Sequence, residues 1–374
     1  MSTLLLITGT GRSGTSTLSG TFDHLGLHVP GPYLGANPSN PKGFFESRWA
    51  VNFHKRITSV AGINDFDSRP EAFALAQAAI TDDLRAELRE FLTRESEKHD
   101  QVVIKDPRSV WAQGVWQEAA EQVGLQIVYI SMLRHPAEVI GSRTTYYARP
   151  ADEGAQRAYE TFNVARWINS SVVSERETRG RRRAFVSYPD LLTDWRTVLV
   201  GLGEDLGLTY DAEVAGGEAS PVDDFIDPGL RRHQGTWDDL GVPEQLRSIA
   251  EAVWEDLLGV QAGHGVDAKA SADLDVQAER YRALFTMAAD IAHDAVETER
   301  RRLRELSKKQ RRGDRQAPDR AKNTGAPTPA ANRHAGADAL PVGDVRGRDL
   351  FRVVVSRARR RALAELTGLR ARRR

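Results

Sequence analysis

Four short apolar runs mark the first half of the chain: Leu4-Leu5-Leu6-Ile7-Thr8, Gln101-Val102-Val103-Ile104-Lys105, Gln126-Ile127-Val128-Tyr129-Ile130-Ser131-Met132-Leu133 and Arg183-Ala184-Phe185-Val186-Ser187-Tyr188. Each has a continuous apolar centre, rich in Leu, Ile and Val in the first three, without the alternate polar positions of a strand that shows one face to water. Between them the apolar residues fall at helical spacing. Leu18, Phe22 and Leu25 open a helix after the first run, and Val51 to Ile57 read as another. Residues 70–99 form one long helical region carrying Phe73, Leu84, Leu88, Phe91 and Leu92. Trp111 to Val123, a segment from Ala137, and 155–180 follow, and Pro189-Asp190 open a helix bearing Leu191, Leu192, Trp195 and Leu199. Strands alternating with helices predict an α/β fold whose parallel sheet is covered on both faces. In such sheets the ligand sits outside the C-terminal strand ends.

The pattern changes after residue 220. A loop-rich stretch to 245 contains Asp227-Pro228-Gly229 and Arg231-Arg232-His233, and a helix over 243–258 completes the α/β domain, taken as 1–262. A helical extension spans 263–312, with one long helix predicted from Ala270 to about Lys309. Residues 313–345 are rich in Pro, Ala, Gly and Asp with few aliphatics, the composition of a disordered linker. In 346–374 eleven Arg face two acids, a net of +9, with Leu350, Val354, Ala358, Ala362, Leu366 and Leu369 at helical spacing. That describes a basic amphipathic helix suited to peripheral contact with an anionic membrane, or to packing on its own protein.

Composition narrows the chemistry. The 374 residues carry 52 basic and 52 acidic side chains, so global charge implies no nucleic-acid partner. The absence of cysteine excludes disulfides, thiolate metal sites and a Cys nucleophile. No apolar run is long enough to span a bilayer, and the first lacks the length and basic flank of a secretory signal. A cytoplasmic protein, peripheral at most to the inner face of a membrane, is the expectation.

Gly9-Thr10-Gly11-Arg12-Ser13-Gly14-Thr15-Ser16 separates the first strand from the first helix. Strand, Gly-rich turn and helix point backbone N–H groups and a helix dipole at an anion, here through Gly14, Thr15 and Ser16. The spacing Gly9-x4-Gly14 matches the nucleotide-triphosphate P-loop, yet Thr15 stands where that loop requires Lys. Arg12 is the cation within the loop. A second anion site is readable at the end of the third strand, where Arg134 is followed eight residues later by Ser142. A guanidinium fork and a hydroxyl two helical turns on suit a phosphate.

Together these segments resemble the sulfotransferases that use 3′-phosphoadenosine 5′-phosphosulfate, in a bacterial branch of that P-loop-like superfamily. The loop through Ser16 is similar to their 5′-phosphosulfate loop, and Arg134 with Ser142 to their 3′-phosphate site. Asn40-Pro41-Lys42-Gly43-Phe44-Phe45-Glu46 looks like an acceptor-side segment, and Lys105-Asp106-Pro107-Arg108 and Ser187-Tyr188-Pro189-Asp190-Leu191-Leu192 like strand-end segments. The resemblance covers about residues 4–260. It implies a P-loop NTPase-like parallel sheet, a sulfuryl donor held by Gly11, Arg12, Ser13, Gly14, Thr15, Ser16, Arg134 and Ser142, no metal, and a hydroxyl acceptor. Arg231 and Arg232 correspond to basic residues that close on the 3′-phosphate.

Many eukaryotic members have a His two residues after the second-strand Lys; here that position is Pro107. Glu46 is therefore the first candidate for general base, against a simpler role as a helix-end carboxylate. Asp106 is second, against a structural ion pair with Lys105 or Arg108. Lys105 either meets the transferring sulfuryl oxygens or makes only that pair. His54 is read as structural. Tyr33, Phe44 and Phe45 in the Pro/Gly loop of 26–45 make a stacking surface for a sugar or glycolipid acceptor, or plugs for the core. Two other readings stand beside the sulfotransferase: an atypical P-loop small-molecule kinase, and a non-enzymatic membrane or polyanion adaptor.

Overall fold

A computed structural model describes residues 2–316 apart from 39, 148, 149, 212, 228, 230 and 232–234. Arg232 and nearly all of the expected linker and basic helix thus lie outside the described residues. The chain divides into two compact units, Met1–Glu297 and Thr298–Arg374.

Among the described residues four strands form one parallel sheet in the order β2-β1-β3-β4: β1 Thr3–Gly9, β2 Gln101–Lys105, β3 Gln126–Leu133 and β4 Arg183–Ser187. The continuous apolar runs are explained by the layering. Leu4 and Leu6 face one layer with Phe53, Phe91, Trp111 and Trp116, while Leu5 and Ile7 face another with Phe22, Leu199 and Leu206. Residues two apart on a strand share a face, so burying both faces leaves no polar alternation to see. The first layer is supplied by α2 Arg48–Ala61, α4 Asp82–Ser96 and α5 Gln113–Gln122; the second by α1 Thr15–His24 and α9 Trp195–Leu206. Because β1 lies between β2 and β3, the connections after β1 and β3 part in opposite directions. This is the switch point where a crevice forms at the strand ends.

Two expected helices are broken. The region 70–99 contains α3 Ala72–Ala78 and then α4, because the Thr81 hydroxyl accepts from the Leu84 amide at 3.3 Å and caps the second helix. Asp82 and Asp83 in its first turn suit the helix dipole, a start signal legible as Thr-Asp-Asp. The long pattern from 270 is likewise two helices, α12 Ala268–Ile291 and α13 His293–Gln316, and α13 runs past 313, where the linker was expected to begin. Beyond Tyr281 no residue of α12 is buried, so apolar packing does not carry the helix onward.

The remaining helices are α6 Pro136–Tyr147, α7 Glu153–Glu177, α8 Tyr188–Thr193, α10 Pro221–Phe225 and α11 Glu244–Ala262, with α3 packed beside α2. A third core joins α6, α7, α11 and α12 through Ile140, Trp167, Ile168, Val253, Leu257 and Leu274. Arg179 clamps Asp275, and the Tyr281 hydroxyl donates to the Ser68 carbonyl, so the start of the expected extension shares a core with the α/β body.

Candidate active site

The loop after β1 is shaped by what its neighbours leave room for. Gly14 has φ +91°, and a Cβ there would lie 2.1 Å from the Tyr188 ring, so only glycine fits. Arg12 holds the left-handed conformation at φ +79°, rare for a residue with a side chain and stored at functional turns. Thr10 and Ser13 close the loop from within, their hydroxyls 2.6 Å apart and the Ser13 amide donating to the Thr10 carbonyl at 3.2 Å. Ser13, expected to touch the donor, has thus committed its amide and hydroxyl to the loop itself. The helix that follows has no side-chain N-cap and no acid in its first turn, leaving its positive end open toward the cavity.

That cavity measures about 620 Å³, within the range of small-molecule sites. On the donor side its wall is Gly11, Arg12, Gly14, Thr15, Ser16 and Arg134, with Ser142 of α6. The two segments predicted separately are joined by direct bonds. Arg12 Nε donates to Ser142 Oγ at 3.1 Å, and Arg134 Nη1 donates to the Arg12 carbonyl at 3.1 Å. Each guanidinium also covers an aromatic ring, Arg12 that of Tyr146 at 4.6 Å and Arg134 that of Tyr188 at 5.0 Å. Burial pushes the Tyr188 phenol up.

Glu46, at the end of the Pro/Gly loop, also lines the cavity. It does not cap α2, whose N-cap is Ser47. Its Oε1 instead lies 2.5 Å from Lys105 Nζ, and Oε2 is 4.0 Å from Arg108 Nη1. Lys105 is 2% exposed and meets three acceptors, Glu46, Ser16 Oγ at 3.0 Å and the Phe44 carbonyl at 3.3 Å. Three N–H groups on one ammonium are thereby matched. Its partner is Glu46, not the neighbouring Asp106.

Asp106 is fully buried behind this wall. One carboxylate oxygen is 2.8 Å from His54 Nδ1; the other accepts from the Arg108 amide at 3.0 Å and Nη1 at 2.6 Å. Trp116 Nε1–H donates to His54 Nε2 at 2.7 Å, so that nitrogen is the acceptor and the proton sits on Nδ1, facing Asp106. Burial alone would raise the Asp106 carboxyl, but the bonds from His54 and the charge of Arg108 hold it at about 2. The arrangement serves to place Arg108, whose ordinary value is itself raised against burial by Asp106, Asp65 and Glu46.

Arg231 reaches Glu138 of α6, Nη2 to Oε1 at 2.6 Å, and the same carboxylate accepts from Arg134 Nε at 3.0 Å. Of the loop aromatics Phe45 is a plug, meeting Phe225 edge-on at 5.4 Å; Tyr33 is 38% exposed, its hydroxyl donating to Asp23 at 2.9 Å, and Phe44 lines the cavity. Sequence reasoning missed Arg143 and Tyr146, Asp65 and Phe66, and the wall position of Arg108. Arg143 directly follows Ser142, and Tyr146 lies one turn on, which helical spacing could have signalled. Asp65 and Phe66 sit in a loop with no pattern to reveal them.

Among the described residues no group of three or more His, Asp or Glu side chains is gathered for a metal. Nor, among them, is any helix long and apolar enough to cross a membrane.

No protein-family model and no curated protein matches the chain. Among solved structures, the sulfotransferase domain from the Synechococcus PCC 7002 olefin synthase is similar at TM-score 0.35 and 18% identity, over 75% of this chain and 94% of that one. The sulfotransferase domain from the curacin biosynthetic pathway is similar at TM-score 0.37 and 16% identity, over 69% and 98%. Likeness at this level decides neither fold nor activity, which rest on the geometry.

Proposed function

We propose that this chain is a sulfotransferase that moves a sulfuryl group from 3′-phosphoadenosine 5′-phosphosulfate to a hydroxyl acceptor, a carbohydrate or glycolipid. One observation carries the reading. Arg12 and Ser142, 130 residues apart, are hydrogen-bonded at 3.1 Å in the wall of a single cavity that is also lined by a buried carboxylate, Glu46. A donor with anions at both its 5′ and 3′ ends needs two cradles in one cavity. The open end of α1 with Arg12 fits the first, and Arg134 with Ser142 the second. A γ-phosphate donor needs instead the P-loop Lys, and Thr15 occupies that place.

In this proposal the first-turn amides of α1 hold the 5′-phosphate and Arg12 offsets negative charge on the departing group. Glu46 takes the acceptor proton during in-line displacement, a reaction governed chiefly by positioning. Lys105 ties Glu46 to Ser16, so the base and the donor loop share one anchor. The acceptor wall of Asn37, Asn40, Asp65 and Phe44 supports a polyhydroxyl acceptor. The assignment includes no metal. For residues 346–374 the net of +9 supports contact with an anionic membrane face.

Thermal denaturation tests the donor. Adenosine 3′,5′-bisphosphate without Mg²⁺ raises the Tm if the proposal holds; stabilisation by ATP with Mg²⁺ alone overturns it in favour of a kinase. Labelled donor supplied with a cell extract, followed by mass spectrometry of the labelled product, then identifies the acceptor.

A further inference from the structure

A carboxylate in the middle of an anion site calls for a reason. Glu138 stands in the first turn of α6, 6% exposed, directly behind Arg134. Its Oε2 accepts from Arg134 Nε at 3.0 Å, and its Oε1 from Arg231 Nη2 at 2.6 Å. Arg231 Nε approaches Oε2 at 3.4 Å, so the Arg231 contact is two-pronged. The two arginines reach this carboxylate from different parts of the chain: one from the end of β3, the other from the segment between α10 and α11. Two guanidiniums brought this close repel one another, and without a shared anion the half-exposed Arg231 would swing to solvent. Burial opposes the charge on Glu138, but the bonds from Arg231 and Arg134 keep its carboxyl below the usual range, so the anion is present across neutral pH.

We infer that Glu138 is a positioning residue of the 3′-phosphate site: its carboxylate aligns Arg134 with one oxygen and holds Arg231 beside it with the other. Neither it nor Arg231 lines the cavity; Arg134 does. The inference rests on the sulfotransferase reading and deepens it. Glu138 holds the two guanidiniums at a fixed separation, so that a 3′-phosphate meets Arg134 already oriented, with Arg231 beside it. The site thereby selects a 3′-phosphorylated nucleotide over an ordinary one, and the selection depends on a residue that never touches the nucleotide. Groups that orient the ligands of a metal matter by tenfold or more, and an effect of that order is expected for a carboxylate that orients a phosphate-binding guanidinium.

Calorimetric titration of the full chain with adenosine 3′,5′-bisphosphate and, separately, with adenosine 5′-phosphate tests this. Wild type prefers the bisphosphate. Glu138→Gln lowers that preference on the order of tenfold while leaving the monophosphate Kd within about twofold. Arg231→Gln, at a half-exposed position that does not threaten the fold, lowers it as well, and the double variant loses less than the product of the two single losses. An equal loss for both nucleotides in Glu138→Gln makes Glu138 a structural residue and overturns the inference. So does an increased preference, which would mean that the carboxylate competes with the phosphate. If Glu138→Gln does not fold, an Arg231→Gln variant that keeps the full preference overturns it. Wild type that binds neither nucleotide, or both equally, defeats the sulfotransferase reading itself, a result distinct from failure of Glu138 alone.

Discussion

Lys105 Nζ stands 2.5 Å from Glu46 Oε1, and both side chains are almost wholly withdrawn from water. An ion pair so placed contributes little net stability over an apolar pair of the same shape, because desolvating both charges offsets their attraction. Removing one partner is another matter, since it leaves a buried charge uncompensated. The pair therefore makes sense as a device for holding a carboxylate against the cavity, with Ser16 as the third point of attachment.

Lys105→Met should accordingly destabilise the protein by about 3–5 kcal/mol, read from urea unfolding at neutral pH. Lys105→Met combined with Glu46→Gln should regain a substantial part of that loss. A double variant as unstable as the sum of the two singles would show that the pair is not coupled.

Glu46→Gln keeps the shape and removes the basic oxygen. Sulfuryl transfer to the acceptor, followed as release of adenosine 3′,5′-bisphosphate, should fall by roughly 10²–10⁴-fold, the usual worth of a general base. Affinity for the bisphosphate should fall far less than the rate, since Glu46 reaches the donor loop only through Lys105 and Ser16. Retention of most activity would remove Glu46 as base.

How much of this was legible beforehand follows from the period of each signal. The four strands were readable because both faces of the sheet are buried, and the Gly-rich loop because Gly14 must clear the Tyr188 ring. Arg134 and Ser142 were readable by spacing, a strand end followed by two turns of the next helix. Glu138 follows Arg134 at the i+4 spacing of a helical ion pair, a pattern available in the sequence yet indistinguishable there from a surface contact. Lys105 with Glu46 was hidden, because 59 residues separate them and only the packing of the Pro/Gly loop on β2 brings them together. The same holds for His54, whose partners Asp106 and Trp116 come from different elements.

Gly14→Ala tests the loop. The substitution adds a Cβ 2.1 Å from Tyr188 at a backbone φ of +91°, so both the space and the conformation are lost. Bisphosphate affinity should fall at least tenfold by calorimetry, and the Tm should drop as well. Pairing it with Tyr188→Ala removes the clash but not the conformational strain, so recovery should be incomplete. Full recovery would mean that the left-handed backbone at Gly14 is of no consequence.

Asp106 predicts how the protein responds to acid. Its carboxyl sits at about 2 in the folded chain against an ordinary value of 3.8. A carboxyl depressed by folding contributes stability that is fully present above its ordinary value and is lost as the pH falls from near 4 through about 2. Asp67, also held at about 2 against burial by Arg69 and the amides of Asn64 and Arg69, acts in the same direction. Urea midpoints taken from pH 6 down to 2.5 should therefore fall most steeply below pH 4. The stability gap between wild type and Asp106→Asn should be widest at pH 6 and should narrow as the wild-type carboxyl protonates. A gap that stayed constant across that range would show that Asp106 gains nothing from its charge, and that the bonds from His54 and Arg108 act through shape alone.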